Sequence, residues 1–159
     1  MPNWCNNNIT IEGPKEKIKA IWDKVQADPD KGFFQHLVPA PKELDGTTSP
    51  TPQPGWAGYK GPQPVVDGVD NWYDWRSMHW GTKWNLDPES INLDDSDPEH
   101  IIIEFLTAWG PPEGILSRLN EVFKFNKGED ALSIQWFYRE DGIGFCGYLD
   151  QDLGINGGF

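Results

Sequence analysis

Apolar and polar residues alternate over residues 4–11. Cys5, Ile9 and Ile11 point one way and Trp4, Asn6, Asn8 and Thr10 the other, the two-residue period of a strand. A run of Asn is poor strand material, so the fold must supply partners for those amides. Gly13-Pro14 opens a helix with Pro in its first turn. Its apolar residues Ile18, Ile21, Trp22 and Val25 recur at helical spacing, and Lys15, Lys17, Lys19 and Lys24 form the wet side. Residues 28–32 end it. Residues 33–38 read as a second strand, stopped by Pro39 and Pro41. Residues 40–64 contain six Pro, which rules out a regular helix; Trp56 and Tyr59 favour partial ordering. Residues 70–79 predict a short helix with Trp72, Trp75 and His79 on one side, and residues 80–84 a return to the sheet.

The second half is more regular. An acidic run over 87–99 precedes residues 101–107, a strand apolar on both faces and therefore expected to be central. Pro111-Pro112-Glu113 opens a helix striped by Ile115, Leu119, Val122 and Phe123. Residues 131–138 and 143–149 predict strands joined at Glu140-Asp141-Gly142, a hairpin signal. The tail 150–159 is weakly specified. The order β-α-β, long insertion, β-α-β-β predicts an α+β fold. It is a ferredoxin-like antiparallel sheet with two helices on one face, an extra C-terminal hairpin strand and a long Trp/Pro-rich insertion. We expect one domain over 1–159 with the insertion at about 40–98. Because residues 101–107 are apolar on both sides, the insertion is expected to fold over the second face, with Trp4, Asn6 and Asn8 beneath it.

Composition narrows the function classes. Aromatics are 13% of the residues, and the net charge is −12. That charge argues against nucleic acid, which needs a basic footprint, and against an anionic membrane. It suits a basic partner. The start of the chain has no basic and then apolar leader pattern, and no apolar run approaches membrane length, so a cytoplasmic protein is expected.

Motifs for chemistry are weak. His36, His79 and His100 are scattered, Cys5 and Cys146 fit no metal spacing, and residues 94–99 lack the turn Gly and distant Glu of a calcium loop; no metal and no cofactor are expected. Gly81-Thr82-Lys83 echoes only the end of a phosphate loop. Cys5, mid-strand on the inward side, reads as a buried thiol, and Ser77 and His79 have no evident orienting acid beyond Asp74. Asp67, Asp70 and Asp74 offer a carboxylate pair for a hydrolase, or plain helix caps. No catalytic residue is expected. The candidate binding residues are Trp4, Asn6, Asn8, Trp72, Trp75, Arg76, His79, Trp80, Lys83, Trp84 and Trp109: indoles to stack, amides to give specificity, cations as polar handles. The same cluster also reads as a second small core.

Five segments carry a resemblance: MPNWCNNNITIEG at 1–13, LVPAPKEL at 37–44, WYDWRSMHWGTKW at 72–84, FLTAWGPPEGIL at 105–116 and FYREDGIGFCGYL at 137–149. In that order they resemble the YubB/Api92-like ferredoxin-like family of phages and plasmids. The resemblance implies a ferredoxin-like domain on a mobile element and supplies no catalytic residue. The function expected is a non-enzymatic binding protein acting on a host factor in the bacterial cytoplasm, in counter-defence, with a basic host protein as partner. The alternatives are a small-molecule or nucleotide-signal binder using the Trp cluster, and an unrecognised hydrolase. Either a monomer or a homodimer fits, the latter through an edge strand.

Overall fold

A computed structural model describes residues 2–26, 32–86, 90–125, 127–149 and 156–158. The elements in chain order are β1 (Trp4–Glu12), α1 (Lys15–Gln26), α2 (Phe33–Leu37), α3 (Trp72–His79), β2 (Asn92–Asp97), β3 (His100–Ala108), α4 (Glu113–Phe123), β4 (Ser133–Glu140), β5 (Phe145–Leu149) and β6 (Asn156–Gly158). A short 3-10 turn, Lys42–Leu44, follows α2. The strands form an antiparallel sheet in the order β2-β3-β1-β4-β5-β6, with β1 paired to both β3 and β4. That is the split βαβ arrangement of a ferredoxin-like fold, built from β1-α1-β2 and β3-α4-β4, with β5 and β6 added beyond β4.

The inward residues of β1 alternate as the sequence requires: Cys5, Asn7, Ile9 and Ile11 are buried. They meet Ile18 and Ile21 of α1, Ile115, Leu116 and Leu119 of α4, Ile101, Ile103 and Phe105 of β3, and Trp136 of β4 in one core. The Asn run is held as expected. Asn7 Nδ2 donates to Thr107 Oγ1 at 2.8 Å, and Trp136 Nε1 donates to Asn7 Oδ1 at 3.1 Å. A buried amide so satisfied costs little, whereas an orphaned one would cost about 1–3 kcal/mol.

Three expectations are corrected. Residues 33–38 are not a strand: Phe33–Leu37 is helix α2. Their apolar residues fall at i, i+1 and i+4, the spacing of one helical face, and Phe33, Phe34 and Leu37 are all buried in the helix. The helix start is held from afar, with Asn85 Oδ1 accepting from Phe34 N at 3.0 Å and Gln35 N at 3.1 Å. The second strand of the plan is instead Asn92–Asp97, inside the acidic run. Asp94 Oδ1 accepts from Ser96 N and Asp97 Oδ1 from Glu99 N, so side chains expected to face water shape the hairpin into β3. Residues 80–84 do not re-enter the sheet.

The insertion also lies on the other side from the one expected. Trp75 and Trp80 join the helix-side core, and Phe34 links Trp80 (5.9 Å between ring centroids) to Phe105 (6.0 Å). Asn6 is exposed, not covered, and Leu106 on the same outer face is 47% exposed. The Pro-rich stretch is an ordered cover: Gln63 hydrogen-bonds both backbone groups of Thr48 and the carbonyl of Asp70, and Thr51 donates to the Asp70 carboxylate.

Candidate binding site

The candidate residues separate into a buried set and a surface set. Trp80 is fully buried, with Nε1 donating to Val38 O at 2.9 Å. Trp75 is buried, donates from Nε1 to Asp67 Oδ2 at 3.0 Å, and stacks on His79 at 4.2 Å. His79 Nε2 lies 3.5 Å from that carboxylate oxygen, near enough for an ion pair when charged but without hydrogen-bond alignment. The expected second small core on the other sheet face does not form: Trp75 and Trp80 belong to the one helix-side core.

Arg76 is the bridge between the two sets. Helical spacing puts Trp72, Arg76 and Trp80 on one side of the chain, and the guanidinium carbon lies 5.1 Å from the Trp72 ring and 5.0 Å from the Trp80 ring. Burial, opposed by the charge of Asp45, pulls this guanidinium below its ordinary value. NH1 reaches Lys83 O at 3.4 Å.

The surface set forms a ridge at one end of the sheet. Trp4, Trp84 and Trp109 are 43%, 40% and 48% exposed. Trp4 and Trp84 rings are 5.7 Å apart. Lys83 Nζ sits between Trp84, at 4.4 Å, and Trp109, at 4.3 Å. Trp109 in turn meets Tyr73, and Tyr73 meets Trp72. Trp109 has φ 68, a left-handed conformation that is unfavourable for a large side chain. It is locked there by Trp109 N donating to Asn3 O at 2.8 Å and by Thr107 Oγ1 donating to Gly110 O at 2.6 Å. Such strain costs of order 1–3 kcal/mol and persists only where the surroundings impose it. Here it turns an indole outward.

Next to the ridge the outer sheet face is open. Asn6 and Asn8 lie there, uncovered by the insertion, joined by residues that sequence reasoning missed: Glu104, Leu106, Phe137 and Arg139. Strand parity could have found them, since each alternates with a core residue of β3 or β4.

The remaining chemistry is quiet. Cys5 is fully buried, and burial pushes its thiol up to about 11, so it stays protonated and unreactive near neutrality. Asp67 and Asp70 accept side-chain hydrogen bonds from Trp75 and Thr51, and Asp74 exchanges bonds with the helix cap Asn71. Among the described residues, no group of three or more His, Cys, Asp or Glu could hold a metal ion, and no helix is long and apolar enough to cross a membrane.

No family model matches the chain, and no curated protein matches it in sequence. Among solved structures the chain is similar to protein Api92 from Yersinia pseudotuberculosis, described with the DUF1281 family model. The two are 13% identical and superpose with a TM-score of 0.57 over 100% of this chain and 98% of that one, a likeness that shows the ferredoxin-like fold.

Proposed function

We propose that this protein is a non-enzymatic binding protein whose aromatic ridge captures a basic protein partner. The observation that supports it is the strained, outward-turned Trp109 beside Trp84 and Trp4. Aromatic residues held rigidly at a surface make the dominant contacts of protein interfaces. The net charge of −12 would steer a basic partner toward the chain. In the setting the family resemblance implies, a phage or plasmid product in a host cytoplasm, the partner is a host factor and the effect is counter-defence. The nucleotide reading has less support, because Arg76 and Lys83 are already engaged by indoles. The hydrolase reading has less still, because Asp67, Asp70 and Asp74 serve as ties and caps.

The test is native mass spectrometry of the chain recovered from bacterial lysate, at low salt and at about 1 M salt, where the Debye length is about 3 Å. A stoichiometric basic protein at low salt, lost at high salt and lost with Trp84→Ala/Trp109→Ala, is the expected result. A bare chain, or a partner indifferent to both changes, contradicts the proposal.

A further inference from the structure

The open sheet face carries a groove of about 460 Å³ beside the ridge, lined by Asn6, Asn8, Glu104, Leu106, Phe137 and Arg139 among others. Strand register fixes its layout. Asn8 lies opposite Glu104 on one neighbour and Phe137 on the other; Asn6 lies opposite Leu106 and Arg139. Asn8 Nδ2 donates to Glu104 Oε1 at 2.7 Å, and Asn92 Nδ2 donates to Oε2 at 3.1 Å. Each carboxylate oxygen therefore holds one donor and keeps a second lone pair free. The two amides set the plane of the carboxylate without neutralising it. Among the described residues no cationic side chain pairs with Glu104. Arg139, the cation nearest in the lining, pairs through Nε with Asp141 at 2.9 Å. The Phe137 ring stands beside Asn8 and packs 5.3 Å from Tyr148.

We infer that this groove seats the guanidinium of an arginine on the basic partner. A guanidinium is planar and has five donors in a fixed fork, which suits the free lone pairs of an oriented carboxylate and the unused Oδ1 of Asn8. Its flat face stacks on an aromatic ring, here Phe137, and its aliphatic stem lies along Leu106. A lysine ammonium gains the charge attraction but neither the fork nor the stack. A phosphate would meet the Glu104 carboxylate and be repelled. The inference rests on the basic-partner reading and names that partner's anchor.

The experiment is calorimetric titration of the full chain at low salt with two nine-residue peptides of equal charge, all Arg and all Lys. The Arg peptide is expected to bind about tenfold tighter. Glu104→Gln, nearly isosteric and on the exposed face, is expected to remove that preference while the far-UV spectrum stays native. Phe137→Leu is expected to reduce it with the Glu104 pairing intact. Equal binding of the two peptides, or a preference that survives Glu104→Gln, overturns the groove assignment and leaves the ridge reading standing. Failure of both peptides to bind overturns the basic-partner reading itself.

Discussion

Gly114→Ala tests the contact between α4 and the end of α3. Gly114 is in the first turn of α4, which packs against the C-terminal end of α3, and its N–H donates to Trp80 O at 3.2 Å. A Cβ built there would lie 1.8 Å from His79 O and 2.7 Å from His79 C, although Cβ contacts under 3.0 Å are essentially never found. Both obstacles are backbone, so no side chain can swing aside. The two helices must part by roughly 1 Å or more, which loosens the fully buried Trp80 and Ile115 between them. Overpacking costs about 1–3 kcal/mol and the stretched hydrogen bond about 1 kcal/mol, against a helix-propensity gain of up to about 1 kcal/mol. The net expectation is a loss of about 1–3 kcal/mol. Urea unfolding followed by tryptophan fluorescence reads it as a lower midpoint with an unchanged slope. Stability within about 0.5 kcal/mol of the parent would refute the described approach of α4 to α3.

Other outcomes follow from the same geometry. Asn7→Leu is expected to cost about 1–3 kcal/mol in urea unfolding, because it removes the acceptor of Trp136 Nε1 inside the core. Trp109→Gly should leave stability within about 1 kcal/mol, since relief of the left-handed strain offsets the lost contacts, yet weaken partner binding about tenfold or more. A thiol reagent at neutral pH should modify Cys146 in the native chain and spare Cys5 until the chain unfolds. Because the folded Cys5 thiol titrates near 11 rather than 9.0, the native state holds that proton longer than the unfolded one. Stability should therefore fall as pH rises through that interval, and Cys5→Ala should lack this component of the fall.

The ferredoxin-like plan was legible because β1, β4 and both covering helices carry two-residue or helical periodicity and β3 is a nearly continuous apolar run. Three elements were not, and one of them, β6, lies in a Gly-rich tail with no strand pattern. Phe33–Leu37 is a short apolar-bounded run between Gly32 and Pro39 whose length suits a strand as well as a helical turn, and its helix start is held by Asn85, fifty residues on, accepting from its first amides. Asn92–Asp97 has poor strand propensity and is held by pairing with β3 and by turns closed by its own carboxylates. The candidate site was half legible. Composition located the indoles, and helical spacing put Trp75 and His79 on one side, where they stack; Trp72, placed with them, instead shares Arg76 with Trp80. Which face of the sheet the insertion covers depends on Phe34 and Trp80 meeting Phe105, a long-range contact with no local signature. That error hid the open face and with it Glu104, Phe137 and Arg139.

Oxidative footprinting of the chain, free and in the complex recovered from lysate, tests the central claim most directly. Trp4, Trp84 and Trp109 are exposed in the free chain, and so are Trp56 and Met78 away from the ridge. Protection of the three ridge indoles, with Trp56 and Met78 oxidised as before, is the predicted result. Protection at Trp56 or Met78 while the ridge indoles remain reactive would place the partner elsewhere and contradict the account.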